Sequence, residues 1–442
     1  MVYHGPMMLP LTKKQKSVDK ETFKKIFIDH WEGFKSTHLG FDCEQYEEPV
    51  QKMLGCGEEF GGYSVHICMF CGRDQRKIPF SCKSCFCLSC AKKYTDDFVA
   101  QVSEMLHAGV SYRHMVLTIP EQLRIVFFRE RHTDKLLSAF MKCGHECLEN
   151  VVSAVKRKNL KIGCIVVVQT HGRSGHYNPH LHIIMTSGGV DTEKENWLDL
   201  GYFKYEIIHK KWQYHLFRMI KSYFRTNEIT RLVDELWRKY PKGLVANVSK
   251  GDVPESYSGL ARYLAKYVAS PPIAVRRILK YDGRTVTYWY QDHKTKSKKI
   301  EKVDVYTFIG RMVQHIMPKW FQRVRYYGLE ATKTYKKWAY VIQEGIKRLG
   351  RKVKGVYQVV KSKKYRQRYK EISGIDPMLC RYCGNGMSLL KIWHPKYGVI
   401  YDEFENIKSG KYEPIPRDDR GGGHPVRSTP GRIQLPLFPV SA

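Results

Sequence analysis

Apolar residues along this chain follow three different periods in turn. Within the first fifty residues Phe23, Ile26, Phe27, Trp31 and Phe34 recur at helical spacing, so this stretch is expected to be helical and locally amphipathic. From His114 to Pro120 the run Met-Val-Leu-Thr-Ile predicts a strand. Residues 133–157 return to helical spacing, with Leu136, Leu137, Phe140, Met141 and Cys147 on one side. Ile162 to Thr170 is then almost continuously apolar, as in a central strand covered on both faces. A short Gly-containing turn leads into a second strand, Asn178 to Met185, which makes the two a hairpin. Helices are expected over 209–226 and 228–240, and a strand over Leu244–Val248. Ser258 to Ser270 reads as a short helix stopped by Pro271 and Pro272. Residues 273–290 form a second hairpin about the turn Asp282-Gly283, and Val305–Ile316 a further helix. From about residue 409 the periodicity is lost, and the Gly-, Pro- and charge-rich end is expected to be disordered.

Several polar residues stand where this pattern gives them chemical meaning. Strand side chains alternate faces, so His180 and His182 point the same way while Leu181 enters the core. Two such imidazoles can hold one divalent ion, or they can simply decorate a solvent-facing strand. Gln169 and His171 share a face at the end of the preceding strand. Either can supply a third ligand, and Gln169 is preferred. On the short helix Tyr263 and Tyr267 are four residues apart, so their hydroxyls lie one turn from each other on one face, with Lys266 adding a cation. A tyrosine pair at this spacing is more often packing than chemistry.

Cysteine is the other concentrated signal. Of 13 cysteines, seven fall between Cys56 and Cys90. Two C-x2-C pairs, Cys68/Cys71 and Cys87/Cys90, have the spacing of a four-thiolate structural zinc site; Cys56, Cys82 and Cys85 are alternative ligands. A later pair, Cys380 and Cys383, is half a site. His394 is one possible companion, and the pair can also stand without metal.

Lys and Arg number 75 against 43 Asp and Glu, a formal net charge of +32. A polyanion is the natural partner, and 29 tyrosines interleaved with cations suit stacking on unpaired bases. The sequence has no apolar run near 18 residues and no signal-peptide core, so a soluble intracellular protein is expected. The basic stretch with Lys361, Lys363, Lys364, Arg366, Arg368 and Lys370 around Tyr365 and Tyr369 reads as a phosphate-tracking surface or a solvated helix face. No Gly-x4-Gly-Lys-Ser/Thr loop is present, which agrees with strand chemistry that needs no ATP.

His180-Leu181-His182 resembles the His-hydrophobe-His motif of the HUH endonucleases, and Tyr263 to Tyr267 resembles the paired-tyrosine motif of their rolling-circle transposases. Cys56-Gly57, Cys68 to Gly72, Ser81 to Cys90, Asn178-Pro179-His180, Tyr288 to His293 and Arg325 to Gly328 extend the similarity to bacterial insertion-sequence transposases of the two-tyrosine class, over roughly residues 20–390. The resemblance implies an α+β fold. A five-stranded antiparallel HUH-type sheet, flanked by helices, would carry the histidines on a central strand and the tyrosines on a facing helix. A small Cys-rich zinc-binding domain would precede it. It further implies Mg2+ or Mn2+ at His180, His182 and Gln169, Zn2+ at the cysteines, and nicking and rejoining of single-stranded DNA through 5′-phosphotyrosine. Partners would be single-stranded DNA and transposon-end hairpins in the bacterial cytoplasm, at the nucleoid. Two departures bear on ligands: Cys85 stands where the pattern has Arg, and Gln169 where many relatives have His.

The expected organisation is a helical and zinc-binding region over 1–98 and a catalytic domain over 99–345. A basic region with the late C-x2-C pair follows over 346–408, and a tail over 409–442. In that tail Gln434, Leu435, Leu437 and Phe438 resemble the peptide by which bacterial replication proteins dock on the sliding clamp. Competing functions are a plasmid replication initiator or relaxase with the same chemistry, and a non-enzymatic zinc protein that binds nucleic acid.

Overall fold

The computed structural model describes residues 21–107, 109–201, 206–248, 259, 262–263, 272–292, 295–350 and 364–409. Helices α1 (Glu21–Thr37) and α2 (Glu44–Leu54) lead to strands β1 (Tyr63–Ile67) and β2 (Gln75–Pro79) and helix α3 (Ala91–Met105). The central part runs β3 (Tyr112–Thr118), α4 (Glu121–Arg129), α5 (Thr133–Lys156), β4 (Leu160–Lys161), β5 (Gly163–His171) and β6 (Tyr177–Thr186). It continues through β7 (Gly188–Asp191), β8 (Asn196–Asp199), α6 (Glu206–Phe224), α7 (Asn227–Lys239) and β9 (Ala246–Val248). Then follow β10 (Ile278–Tyr281), β11 (Thr285–Gln291), β12 (Lys298–Asp304), α8 (Val305–Val313), β13 (Val324–Gly328) and α9 (Tyr335–Arg348). The last described elements are α10 (Tyr365–Ser373), β14 (Ser388–His394), β15 (Gly398–Asp402) and α11 (Glu403–Lys408).

A five-stranded sheet in the order β13-β5-β6-β3-β9 occupies the centre, with every neighbouring pair antiparallel. The expected mixed fold is therefore present, and β6 with its two histidines is the middle strand. Helices cover both faces, which is why β5 reads as an unbroken apolar run. Cys164, Val166 and Val168 of β5 join Leu181, Ile183 and Met185 of β6 against Phe140 and Cys147 of α5 and Trp212 of α6. Gly144 permits the close approach of α5, because a Cβ there would stand 2.5 Å from Leu181 Cδ1. On the opposite face Tyr112, Ile165, Val167 and Ile184 pack with Val102 of α3 and Ile342 and Ile346 of α9. By alternation His114, His180 and His182 share that second face.

Two parts of the sequence reading change. The basic stretch after the second hairpin contains β12, which pairs with β11 through Val286↔Val303 and Tyr288↔Glu301. Its pattern is hidden because three lysines, a glutamate and an aspartate fill five of its seven positions, and its apolar residues, Ile300 and Val303, lie on opposite faces. The N-terminal helix also does not close a core with its sequence neighbours alone: Phe23, Phe27 and Phe34 join Phe308, Ile309 and Met312 of α8 in one cluster. A four-stranded sheet in the order β15-β14-β1-β2 joins residues 63–79 to residues 388–402. Trp393 stacks on Tyr63 at 5.5 Å across that pairing. No helix among the described residues is long and apolar enough to cross a membrane.

Candidate active site and metal centres

The β6 imidazoles sit in the middle of the sheet, His180 opposite Gln169 of β5 and Thr118 of β3, and His182 opposite Val167 and Val116. Their rings lie 4.8 Å apart at 68°. His180 Nδ1 bonds the Asn178 carbonyl at 2.7 Å, which fixes Nδ1 as the protonated nitrogen and leaves the Nε2 lone pair for a ligand. His182 is engaged at both nitrogens: Nε2 meets Gln169 Oε1 at 3.2 Å and Nδ1 meets His114 Nε2 at 3.0 Å. His114 Nδ1 in turn meets the Tyr263 hydroxyl at 2.8 Å.

One assignment of protons satisfies all these contacts. Tyr263 O–H donates to His114 Nδ1, His114 Nε2–H to His182 Nδ1, and His182 Nε2–H to Gln169 Oε1. The result is a continuous chain from a tyrosine hydroxyl to a histidine of the predicted pair. Burial lowers the pKa of His180 and of His182, and lowers that of His114 to about 4, so all three are neutral imidazoles near neutral pH. Neutral imidazole is the form that ligates metal. For His182 to ligate through Nε2, its contact with Gln169 must open and the chain must reverse, with His182 Nδ1–H donating to His114 Nε2 and His114 Nδ1–H to Tyr263 Oη. His180, His182 and Gln169 offer a divalent ion two imidazole nitrogens and one amide oxygen.

The structure brings Gln169, His180, His182 and Tyr263 together. His171, the alternative third ligand, lies behind Gln169, with its Nε2 3.2 Å from Gln169 Nε2. Lys266 and Tyr267 lie outside the described residues, as do Gln434, Leu435, Leu437 and Phe438. His114 was missed. It stands at the head of a strand that was recognised, but only the antiparallel register with β6 brings it beside His182. A cavity of about 520 Å3, lined in part by Tyr94, Phe98, His315, Phe321, Arg323 and Tyr326, adjoins this face. Tyr263 packs in the same cluster as Tyr94 and Tyr326.

The described cysteines form two thiol quartets rather than the expected one. Cys56, Cys82, Cys87 and Cys90 converge in one, and Cys68, Cys71, Cys380 and Cys383 in the other, the sulfurs of each lying within 4.8 Å of one another. The expected combination of Cys68/Cys71 with Cys87/Cys90 is therefore corrected. Cys68 and Cys71 sit at the turn end of the β1–β2 hairpin, whereas Phe80 at its open end bonds Gly57 beside Cys56. Strands of five residues separate the two ends by about 16 Å, so no single ion spans them. Cys85 belongs to neither quartet and lines the cavity instead. His394 stacks on Tyr397 and stays outside the second quartet.

In the first quartet Cys56 Sγ is 3.4 Å from Cys90 Sγ and Cys82 Sγ is 3.6 Å from Cys90 Sγ. Lys24 Nζ holds the Cys56 carbonyl at 2.7 Å, and Phe23, Phe27 and Phe86 enclose the group. A tetrahedral ion with Zn–S bonds of about 2.3 Å needs sulfur–sulfur edges of about 3.8 Å, close to these spacings. Four thiolates leave no open position, so such an ion is structural.

Residues 163–337 match the family described as "Putative transposase", and residues 26–119 match the family described as "Transposase zinc-binding domain". A transposase for insertion sequence element IS801 from Pseudomonas savastanoi pv. phaseolicola is 27% identical over 317 residues, covering 68% of this chain and 74% of its own. The "Putative transposase y4qJ" of Sinorhizobium fredii is 22% identical over 387 residues, 82% of this chain and 93% of its own. No solved structure matches significantly. The chain is thus similar to transposases over both segments, and all four cysteines of the first quartet fall inside the one matched to a zinc-binding domain.

Proposed function

We propose that the protein nicks and rejoins single-stranded DNA at transposon ends through a 5′-phosphotyrosine link, driving rolling-circle transposition. The observation that carries this reading is the hydrogen-bonded chain from Tyr263 through His114 to His182. Tyr263 Oη attacks the phosphorus, the P–O3′ bond breaks, and the 3′ oxygen leaves to become a 3′-hydroxyl. With His182 Nε2 turned to a metal, His114 Nδ1–H would donate to Tyr263 Oη and favour its phenolate, and the tyrosine proton would pass through solvent to the leaving 3′ oxygen. The link conserves the free energy of the phosphodiester, so attack by a 3′-hydroxyl rejoins the strand without ATP. Tyr267, one helical turn on, would serve as the second nucleophile, with Lys266 beside the phosphate. Mg2+ or Mn2+ held by His180, His182 and Gln169 would supply charge neutralisation at a non-bridging phosphate oxygen.

A basic and aromatic surface supports a single-stranded substrate. Trp289 of β11 lies between Arg277 and Lys298, at 5.7 and 4.8 Å from the ring centre. Tyr288 Oη donates to the Ser174 carbonyl, which sets this small sheet against the turn that leads into β6. A base stacked on that indole would run toward the aromatic cavity beside Tyr263. Transposon-end hairpins are the expected targets, and the tail residues Gln434, Leu435, Leu437 and Phe438 the expected contact with a sliding clamp. Clamp capture that survives Leu437→Ala with Phe438→Ala would remove that last element.

Incubating single-stranded oligonucleotides with the protein and Mn2+ should give a covalent adduct on a denaturing gel. Retained adduct in the Tyr263→Phe, Tyr267→Phe double variant would overturn the assignment of the nucleophiles. No adduct with any end sequence would favour a zinc protein that only binds nucleic acid.

A further inference from the structure

We propose that Cys68, Cys71, Cys380 and Cys383 bind a second zinc ion, which clasps the C-terminal part of the chain onto the zinc-binding region. The two halves come from opposite ends of the sequence, and Cys380 and Cys383 lie outside both matched segments. Cys68 Sγ is 3.5 Å from Cys383 Sγ, and Cys71 Sγ is 3.5 Å from Cys380 Sγ. These separations are far too long for disulfides and match the edges of a thiolate tetrahedron.

Each half is built alike. In Cys68-Met-Phe-Cys71-Gly72 the Gly72 N–H bonds the Cys68 carbonyl at 2.9 Å; in Cys380-Arg-Tyr-Cys383-Gly384 the Gly384 N–H bonds the Cys380 carbonyl at 3.0 Å. Both glycines are left-handed, with φ of 68° and 71°. This repeated turn offers two sulfurs to one point. Donors also face those sulfurs: Tyr382 N–H reaches Cys380 Sγ at 3.4 Å and Asn385 Nδ2 reaches Cys383 Sγ at 3.5 Å. Such contacts stabilise thiolate, the form that ligates zinc.

A buried carboxylate sets the two halves in register. Asp74, fully buried, accepts from Arg76 on its own hairpin, and from Arg381 through the backbone N–H at 2.7 Å and Nη2 at 3.0 Å. Arg76 Nη1 also donates to the Pro377 carbonyl at 2.9 Å. Against this, the apolar cluster where the ends meet contains only Cys68, Cys380 and Met387 as buried members. Beyond the β1–β14 pairing, three side chains bury little apolar surface at this junction, so the ion takes the place of a core there. The ligand is Zn2+ as a closed four-thiolate ion, with no open position and hence no direct part in strand cleavage; the assignment does not depend on the cleavage chemistry.

The test is metal content of the full-length chain purified without chelator. Two zinc ions per chain are expected, falling to one in Cys380→Ser with Cys383→Ser and to one in Cys68→Ser with Cys71→Ser. A Cys85→Ser control should keep two. In the wild-type chain, cobalt substitution should give thiolate charge-transfer absorption of twice the strength expected for one four-thiolate site, a reading that needs no variant. One zinc in the wild type, or two in the Cys380→Ser, Cys383→Ser protein, would overturn the proposal, as would iron in place of zinc. After mild trypsin digestion the fragment bearing residues 378–402 should stay bound to the wild-type remainder and separate in the variant.

Discussion

The thiol quartets and the imidazole cluster are both assemblies of metal-binding side chains, yet their surroundings differ in kind. Each quartet gathers four soft donors from distant turns and leaves nothing over. The imidazoles use their spare nitrogens on one another, on Gln169 and on Tyr263, and only His180 Nε2 is left uncommitted by these contacts. A closed donor set fixes shape; a partly satisfied one, wired to a hydroxyl, is suited to moving a proton. Two metal-dependent properties of one chain should therefore separate cleanly.

The largest separation should follow from removing metal in two grades. A weak chelator that strips Mg2+ or Mn2+ should stop adduct formation and leave the thermal transition in place. Thiol-specific release of zinc should abolish that transition for the N-terminal part, because thiolate zinc binding is worth on the order of 10 kcal/mol in small folding units. Scanning calorimetry with parallel adduct gels reads both. Next, His180→Ala with His182→Ala should lower adduct formation by about 1000-fold or more, with oligonucleotide affinity within about threefold of wild type. Equal loss of binding would make the pair structural. A smaller effect is expected from His114→Phe: cleavage slowed by about 100-fold, the lower range for a lost hydrogen bond to the reacting oxygen, with zinc content unchanged. Undiminished cleavage would detach the proton chain from the reaction.

The smallest effect concerns a group outside both assemblies. Glu330 is wholly buried, accepts the Tyr112 hydroxyl at 2.8 Å, and has its pKa pushed up to about 8 by burial. Below its ordinary value of 4.5 the carboxyl is protonated in folded and unfolded chains alike. As pH rises from there toward 8 only the unfolded chain ionises, so folded stability falls across that window. Glu330→Gln should flatten this slope and stabilise the protein at pH 8.5 by on the order of 2 kcal/mol, with little gain near pH 5. Melting curves at the two pH values check it.

Local periodicity made most of the central sheet and its helices legible. The β5 run, the β6 alternation and the α5 stripe each carry their pattern within a dozen or so residues, and that pattern put His180 and His182 on one face and Gln169 or His171 at the end of the strand beside them. Everything set by register or by distant pairing was not. His114 needs the β3–β6 alignment before it means anything, and the glycine knuckle at Cys380 needs a partner strand from the other end of the chain. Cys68, Cys71, Cys87 and Cys90 looked like one site because sequence spacing ignores the length of the hairpin between the two pairs. Strand β12 was obscured because its exposed lysines outnumber its two apolar residues, which lie on opposite faces and show no alternation.

The pairing of β1 with β14 also has a consequence in time. Cys71 and Cys380 are 309 residues apart, so one edge of β1 waits unpaired while most of the chain is still being synthesised. At about 5–20 residues per second that interval is roughly 15–60 s. During it, the nascent protein presents an open strand edge and two unfilled thiol positions, and a copy cut short by a premature stop would keep them permanently. Completion of this sheet thus reports that the ribosome has passed His394, and a product cut short before that point is marked as unfinished by its own architecture.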